Sequence, residues 1–462
     1  MTQTSSIANI LGAERVRSDM ETRTRYAIGN LTPAEVASPT SAADVVEIVK
    51  HAASERRAIV ASGARTKLEM GAPPSKYDIA LDMSQMNRIV AYDPGDLTLS
   101  VEPGMKLADL ARTLAEHGQM LPLGTPWASQ ATIGGTIASG IDAPERQLYG
   151  TPRDYLLGAE FVTGDGVLAK SGGRVVKNVT GYDMHKLLIG SCGTLGVITK
   201  LNFKTFPLPQ NIREFVAGFT TLESALEMRR RIARSPLSPL TLEIVGPGAA
   251  SVLANAGNDS SRSIAQILDK DEWSVAVSCA GSDRVLARYE SDLRQIAEQS
   301  GAATVRMVTD ELGAAWSHIR EFVPIALAAS PAAIIVKLGV LPSKLAEFWH
   351  EMHVAANSNQ IRCSSLIRGV GVAYIAALAE GAPEAVAPDD AKRRIIAYTQ
   401  GVQAAAANLG GHASVPWAPT AWKRELNVWG TPPPPDLAEM RKLKAALDPQ
   451  NILSPGRFVG GI

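Results

Sequence analysis

The chain has 462 residues, enough for two or three domains at about 150 residues each, and its 46 basic residues balance 46 acidic ones. A neutral chain without runs of like charge gives no support for binding to nucleic acid or to an anionic membrane surface. Its three cysteines, Cys192, Cys279 and Cys363, form no CxxC pair, so the chain by itself lacks the ligands of an iron–sulfur cluster or a zinc ribbon.

The N-terminal segment, residues 1–34, is polar and irregular. It has neither the basic start nor the apolar stretch of a secretory signal. The most apolar stretch, 324–336, is interrupted by Ser330 and Pro331 and is shorter than the ~20 residues of a membrane-spanning helix. We therefore expect a cytoplasmic protein.

Residues 35–210 interleave helices with short strands, which predicts an α+β domain. A polar cap at Ser41 starts a helix that runs to Arg57 with apolar residues at helical spacing. Three turns rich in small residues follow, at Ser62–Lys67, Gly124–Gly140 and Ile189–Thr199. Such turns are either simple tight turns or places where backbone N–H groups approach an anion, usually phosphate. Neither G-x-G-x-x-G after a strand nor GxxxxGK[ST] occurs, so a Rossmann site or a P-loop is not predicted.

After residue 210 the pattern changes to three strand–helix–strand units, which predicts one antiparallel sheet with helices on one face. A Thr-x-x-Glu capping box, Thr220 and Glu223, begins the first helix of this region. Polar loops are expected at 255–263 and 380–390. We place a domain boundary near residue 210, a second domain over 211–430 and a last segment over 431–462, in which a helix, Asp436–Leu447, follows a proline-rich connector.

Three stretches carry a resemblance to a known family: "ATIGGTIASG", "KNVTGYDMHKLLIGSCGTLGVIT" and the closing "MRKLKAALDPQNILSPGRFVGG". Over residues 35–210 the chain resembles the FAD-binding domain of the vanillyl-alcohol oxidase and p-cresol methylhydroxylase (PCMH) superfamily. Within it, the shorter flavin subunits of bacterial glycolate oxidase are most similar. The resemblance implies a two-lobed PCMH-type FAD-binding domain, an α+β cap domain with an antiparallel sheet over 211–430, and a tail over 431–462 that returns to the FAD domain.

The resemblance also implies where FAD binds. The first turn would wrap the pyrophosphate, the second would approach it from the other side, and the third would make room for the cofactor and present backbone to the adenine. The residues expected to bind FAD are Ser62, Gly63, Ala64, Arg65, Thr66, Lys67, Gly124, Thr125, Ser129, Thr132, Ile133, Gly134, Gly135, Ser139, Gly193, Gly196, Val197 and Ile198. Relatives with covalent flavin often carry a histidine in the first turn. This chain has none there, so we expect non-covalent FAD and interpret Cys192 as a small buried thiol.

Oxidation of a 2-hydroxy acid needs a hydride acceptor, a base for the hydroxyl proton and a cation for the carboxylate. Relatives carry a metal-binding H-x-G-D-G-N-x-H element, which this chain lacks, so no metal is expected. Arg320 is the candidate carboxylate clamp, or else a solvated helix arginine. His412 matches a family histidine in place but not in its flanking residues, and Lys337 faces either the flavin or solvent.

Two main hypotheses follow. In the first, the chain is an FAD-dependent oxidoreductase acting on CH–OH groups, which oxidises glycolate or a similar small 2-hydroxy acid. In the second, it is an accessory flavin subunit, possessing FAD but relying on partners. The resemblance names these partners as a longer FAD subunit and an iron–sulfur subunit of a glycolate oxidase-like complex, through which the chain would lie peripheral to the inner membrane. A third hypothesis is a stand-alone D-lactate or 2-hydroxy-acid dehydrogenase or an oxidase of a sugar-derived alcohol.

Overall fold

A computed structural model describes residues 6–174, 181–255, 267–270, 272–308, 316, 318–381 and 389–462. The first half of the motif "KNVTGYDMHK" and most of the two predicted polar loops lie outside these residues. The chain forms two compact units. The first comprises Met1–Ile141, Thr151–Leu208 and Thr431–Ile462, and the second comprises Asp142–Gly150 and Pro209–Gly430.

The elements are numbered in chain order within the described residues. The helices are α1 (Ser6–Leu11), α2 (Met20–Thr24), α3 (Ala42–Glu55), α4 (Leu107–Ala115), α5 (Ile133–Ser139), α6 (Arg146–Tyr149), α7 (Pro152–Tyr155), α8 (Leu222–Arg234), α9 (Pro247–Ala254), α10 (Asp283–Gln299), α11 (Phe322–Ala329), α12 (Leu345–Ser358), α13 (Asp389–Asn408) and α14 (Pro434–Leu447). The strands are β1 (Val16–Arg17), β2 (Glu35–Ala37), β3 (Ile59–Ser62), β4 (Ile79–Asp82), β5 (Ile89–Asp93), β6 (Thr98–Val101), β7 (Gln119–Met120), β8 (Leu156–Val162), β9 (Leu168–Gly172), β10 (Val197–Lys204), β11 (Phe206–Pro207), β12 (Ile212–Phe219), β13 (Thr241–Val245), β14 (Trp273–Ala280), β15 (Thr304–Val308), β16 (Ile334–Gly339), β17 (Ile361–Arg368), β18 (Val372–Ala379) and β19 (His412–Trp417).

The first unit contains two main sheets. A four-stranded sheet has the order β1-β2-β4-β3, and a five-stranded sheet has the order β5-β6-β10-β8-β9. β4 runs parallel to both β2 and β3, whereas the pairs of the five-stranded sheet are antiparallel. Helix α3 begins after the predicted cap, where the Ser41 hydroxyl accepts a hydrogen bond from the Asp44 N–H, and it buries Ile48 and Val49. Its packing places β3, and so the turn after β3, at a fixed point of the unit.

The second unit is built on an eight-stranded antiparallel sheet with the order β15-β12-β14-β13-β17-β18-β16-β19. Its apolar core joins one face of this sheet to α8, α10, α12 and α13. The predicted α+β class with an antiparallel sheet in this region is confirmed. One local prediction was wrong, and one strand was not predicted. The cap of α8 is Thr221, whose hydroxyl accepts from the Ser224 N–H, and not Thr220. Strand β18 was not predicted because its alanine-rich sequence has weak strand propensity.

The C-terminal segment belongs to the first unit and is tied to it by a buried ion pair. Lys444 Nζ donates to Asp448 Oδ2 at 2.6 Å, to the Thr194 carbonyl at 2.9 Å and to the Leu453 carbonyl at 2.8 Å. Asp448 in turn accepts the backbone N–H groups of Ile452 and Leu453. Each charge therefore has an opposite charge and further hydrogen bonds in place of water. The tail is fixed to the Gly-rich turn that precedes β10.

The same tail also runs beside β3. The Ile59 N–H donates to the Ile452 carbonyl at 2.7 Å, and the Ser454 N–H donates to the Ile59 carbonyl at 2.8 Å. Two of the three small-residue turns are thus held by the last residues of the chain. The connection joins sequence positions that local patterns cannot relate to one another.

We predict that Lys444→Met destabilises the protein by about 3–5 kcal/mol, because it leaves the Asp448 carboxylate buried and unpaired. Lys442→Met is the matched control, since Lys442 lies on the same helix in an exposed pair with Glu439 and such pairs contribute about 0.2–1 kcal/mol. The measurement is urea-induced unfolding of both variants, followed by circular dichroism. Equal losses of stability in the two variants would contradict the prediction.

Candidate functional site

A cleft lies within the first unit, where the turn after β3, helix α5, the turn before β10 and the C-terminal tail meet. The predicted FAD-binding residues that line it are Ser62, Gly63, Ala64, Arg65, Thr66, Lys67, Thr132, Gly134, Gly135, Ser139, Gly193, Gly196, Val197 and Ile198. The structure therefore brings residues of all three small-residue turns to one cleft.

The turn after β3 presents polar groups without a protein partner. Among the described residues, the backbone N–H groups of Gly63, Ala64 and Thr66 have no hydrogen-bond acceptor. The Ser62 hydroxyl is also buried and makes no hydrogen bond within the described part of the chain. Buried polar groups are nearly always satisfied, so several neighbouring donors without acceptors indicate a ligand that accepts hydrogen bonds. A row of N–H groups in a turn suits a phosphate in particular.

The glycines of the cleft exclude side chains for different reasons. A Cβ on Gly134 would lie 2.5 Å from Pro103, and a Cβ on Gly196 would lie 2.7 Å from the Phe161 ring. These two positions require glycine because the protein itself packs there. Gly193 differs, since its φ of 73° disfavours any other residue while its Cβ position meets only the Ser454 hydroxyl at 3.4 Å. Space for a ligand remains beside Gly193 and Gly135.

Several predicted contacts of the second turn do not fit the structure. The N–H groups of Ile133 and Gly134 donate to the carbonyls of Met105 and Pro103, at 2.9 and 2.8 Å, so neither is available to a phosphate. Ile133 is fully buried and does not line the cleft. Gly124, Thr125 and Ser129 also lie outside its lining; of these Thr125 is buried and Ser129 is exposed. The segment was expected to be a loop throughout, but α5 occupies its second half.

Arg457 is a cleft residue that the sequence reasoning missed. Its Nη2 donates to the carbonyls of Leu68 and Met70, at 2.6 and 2.8 Å, and so fixes the chain that follows the first turn. Arg457 is buried and lines the cleft, where its guanidinium adds a positive charge to those of Arg65 and Lys67. A lone arginine in the charge-free ending "SPGRFVGG" was the available signal.

The Cys192 thiol lines the same cleft, and its backbone has a φ of 53°. Burial raises the pKa of this thiol to about 11, so the protonated form predominates at neutral pH. A nucleophilic or attached cysteine requires the thiolate. The environment agrees with the interpretation of Cys192 as a small buried thiol.

On the face of the second unit's sheet opposite the apolar core, the strands carry Glu214, Glu243, Lys337 and Arg368, because the strand pleat sends alternate residues to opposite faces. With neighbouring charged residues outside the strands they form a group that we call the Asp142 cluster; its members are Asp142, Glu145, Arg146, Glu214, Glu243, Arg320, Lys337 and Arg368. At its centre, Arg368 Nη1 donates to Glu243 Oε1 at 3.0 Å, and Arg368 Nη2 donates to the Asp142 carbonyl at 3.0 Å. Tyr374 donates to Asp142 Oδ1 at 2.7 Å.

Burial and charge shift the pKa values of this cluster in opposite directions. Burial opposes ionisation of Asp142, but the cations of Lys337, Arg368 and Arg146 outweigh it and hold the pKa of Asp142 well below its usual range. Burial raises the pKa of Glu243 to about 7, even though Arg368 lies beside it. Burial also lowers the pKa of Lys337 from its usual value.

The structure places the two predicted catalytic residues in separate surroundings within this unit. Arg320 Nη2 pairs with the Glu145 carboxylate. His412 begins β19, opposite Gly339 of β16 in the strand register, and burial of its ring lowers the pKa of His412. Within the described residues, no hydrogen bond or ion pair joins Arg320 to His412. Trp316, four residues before Arg320 in sequence, donates its Nε1–H to Glu214, whose pKa burial raises to about 7.

The described residues lack two further features. No group of three or more histidine, cysteine, aspartate or glutamate side chains in this part of the chain is placed to hold a metal ion. None of its helices is long and apolar enough to cross a membrane.

Comparison with known families indicates the cofactor of the chain. Residues 33–172 match the model of an FAD binding domain, and residues 208–378 and 431–458 match the model of the C-terminal domain of FAD linked oxidases. The chain belongs to the FAD-linked oxidoreductases. FAD is therefore its cofactor, as predicted, and the unsatisfied donors of the first turn suit the diphosphate of this group.

Relatives of this FAD-linked oxidoreductase span nearly its whole length. It is 26% identical to glycolate oxidase subunit GlcD of Bacillus subtilis, over 92% of this chain and 89% of that protein. It is 28% identical to D-lactate dehydrogenase of Archaeoglobus fulgidus, over 92% of this chain and 91% of that protein. Similarity to glycolate oxidase subunit GlcE of Escherichia coli is 37% but covers only 36% of this chain and 47% of that protein.

Solved structures confirm the fold of the FAD-linked oxidoreductase. p-Cresol methylhydroxylase with bound substrate superposes with a TM-score of 0.78 at 17% identity, over 98% of this chain and 95% of that chain. 4-Ethylphenol oxidase from Gulosibacter chungangensis gives a TM-score of 0.77 at 16% identity, over 98% and 96%. The predicted PCMH-type architecture is confirmed.

We predict that Gly135→Asp abolishes FAD binding while the chain stays folded. A carboxylate at this cleft position opposes the diphosphate, and two like charges 4 Å apart at an effective dielectric of 20 repel by about 4 kcal/mol. Gly135→Ala is the control, because its Cβ meets only the Thr132 hydroxyl, at 3.2 Å, and adds no charge. FAD affinity is measured by the quenching of flavin fluorescence. Unchanged affinity in Gly135→Asp would show that the diphosphate lies elsewhere.

We also predict that the flavin is bound without a covalent bond. The first turn carries Ala64, Arg65 and Thr66 where a histidine would be needed for attachment, and the Cys192 thiol is protonated at neutral pH. The purified protein should be yellow, and acid precipitation should release the colour into the supernatant. Colour that stays in the acid pellet would refute non-covalent binding.

Proposed function

We propose that the chain is the FAD-bearing subunit of a glycolate oxidase-like complex, which oxidises a small 2-hydroxy acid to the 2-oxo acid. The observation that carries the proposal is a cofactor cleft in a chain whose full-length relatives are glycolate oxidase and D-lactate dehydrogenase polypeptides. Both relatives act on 2-hydroxy acids. Subunit GlcD matches over 92% of this chain and subunit GlcE over 36% of it. That the chain acts as the shorter, GlcE-type subunit is therefore part of the proposal.

The chemistry assigns separate tasks to residues of the second unit. The residues of the cleft would hold FAD, which would supply the hydride acceptor for oxidation at Cα of the substrate. Arg320 holds the substrate carboxylate, because a planar guanidinium offers two parallel donors to it. His412 takes the hydroxyl proton, since its lowered pKa keeps the imidazole neutral at pH 7. Lys337 is the second candidate base, because burial shifts its pKa towards the neutral amine.

Partner subunits are part of this proposal for two reasons. The sequence lacks the metal-binding H-x-G-D-G-N-x-H element, which a longer flavin subunit of such a complex would supply. Its three cysteines are scattered along the chain and are too few for a cluster that carries electrons onward, so an iron–sulfur subunit would have that task. The engagement of Arg320 by Glu145 also favours a chain whose own substrate site is weak.

The alternative is a stand-alone dehydrogenase of D-lactate or another 2-hydroxy acid. The specific observation in its favour is the similarity to the D-lactate dehydrogenase of Archaeoglobus fulgidus along nearly the full length of both proteins. The buried Lys337 and the neutral His412 would then be sufficient for proton removal.

The test is to compare the isolated FAD-loaded chain with the chain co-expressed with its two partner subunits. We predict that the isolated chain reduces an artificial dye very slowly with glycolate or D-lactate. Turnover should rise at least tenfold in the complex and disappear when Gly135→Asp is introduced into this chain. Robust turnover by the isolated chain would favour the stand-alone dehydrogenase. A complex that is indifferent to Gly135→Asp would refute a role for the FAD of this chain.

A further inference from the structure

The contact between Arg320 and Glu145 leaves both groups incompletely used. Nη2 of Arg320 pairs with Oε1 of Glu145, and the two side chains are 32% and 15% exposed. Nε of Arg320 and Oε2 of Glu145 are both buried and have no hydrogen-bond partner within the described residues. An arginine and a carboxylate that form a purely structural pair usually meet through two parallel bonds. Here the Nε–H of Arg320 is a donor that has no acceptor among the described residues.

The position of Glu145 is fixed by its neighbours. Glu145 precedes helix α6 and lies three residues after Asp142, whose carboxylate and carbonyl are held by Arg368 and Tyr374. The segment Asp142–Gly150 belongs to the second unit, although the chain on either side of it belongs to the first. The Glu145 carboxylate that pairs with Arg320 therefore lies on an anchored segment and not on a free surface loop.

The ionised side chains around Arg320 and Glu145 provide no net positive charge to attract an anion. The Asp142 cluster contains four basic and four acidic side chains, so it is balanced when all of them are ionised. A carboxylate arriving from solution would add a fifth negative charge to this group. It would also have to separate Arg320 from a carboxylate that is already in place.

We propose that Glu145 is an internal ligand of Arg320 that competes with the carboxylate of a 2-hydroxy acid and so sets the selectivity of this site against small anions. The inference rests on the proposed role of Arg320 as carboxylate clamp. A ligand that binds only the unpaired form of Arg320 has its apparent affinity reduced by the fraction of protein in that form. An anchored carboxylate has a high effective concentration, which keeps that fraction small.

The test is calorimetric titration of oxalate, a small dicarboxylate that is not oxidised at a CH–OH group, into the FAD-loaded chain at pH 8. Glu145→Gln retains the shape of the side chain but removes its charge, and we expect it to bind oxalate about tenfold more tightly than the unmodified chain, within the 5–150-fold range typical of coupling between two ligands. Glu298→Gln, on an exposed position of α10, is the matched control and should leave the affinity unchanged.

A double variant distinguishes the proposed mechanism from a general loss of negative charge. In Glu145→Gln with Arg320→Met, the gain in oxalate affinity should disappear, because the freed donor is no longer present. Equal oxalate affinity in the unmodified chain and Glu145→Gln would overturn the proposal, as would a gain that survives Arg320→Met or a complete lack of binding in both. Flavin content and melting temperature confirm folding, and Glu145→Asp, which shortens the side chain, should give a smaller gain if Glu145→Gln does not fold.

The titration and the turnover assay can fail independently. A gain in oxalate affinity without any turnover of 2-hydroxy acids in the complex would leave the inference intact and refute the proposed function. Turnover in the complex with no change in oxalate affinity would support the proposed function and refute the inference about Glu145.

Discussion

The requirement that buried charges be paired governs both units of this protein. Removing an ion from water costs several kcal/mol, which only an opposite charge and further hydrogen bonds can offset. In the first unit, Lys444 and Asp448 meet this requirement by tying the end of the chain to the turn that precedes β10. In the second unit, Arg368 meets it by joining Asp142 to Glu243 across two strands and an inserted segment. The regions where function is located are the ones that these pairs fix.

The same requirement explains the composition of the cofactor cleft. Its lining is mostly small residues and backbone, and a diphosphate placed there needs donors that are not already committed. The turn after β3 supplies them, whereas Ile133 and Gly134 have given theirs to Met105 and Pro103. The second turn therefore contributes shape rather than hydrogen bonds at these positions. Arg457, which lies outside the three turns, adds a third positive charge to those of Arg65 and Lys67 in the cleft lining.

Local sequence patterns predicted the α+β class, whereas the PCMH-type architecture and the FAD cofactor were implied by a family resemblance carried by three stretches of sequence. The last helix ends at Leu447, as predicted, and α3 starts after its predicted cap. Helix α5 was not predicted, because its glycines and β-branched residues have weak helix propensity and tertiary packing overrides it. Arg457 was missed for another reason: its hydrogen bond to Leu68 spans 389 positions, and nothing local to "SPGR" indicates that partner.

In the second unit, the ligand that a charged side chain can bind depends on the groups that the fold places beside it. Arg320 was chosen from sequence as a carboxylate clamp, and the structure shows it already engaged by a carboxylate of its own chain. The assignment of Arg320 as clamp stays a proposal, and its availability to a ligand depends on Glu145, which lies 175 positions away in sequence. An arginine identifies a site for anions only when no internal anion occupies it, and that condition is set by three-dimensional structure. Under the proposed role of Arg320, the anchored segment Asp142–Gly150 takes part in substrate choice together with the strands and helices that carry the candidate catalytic groups.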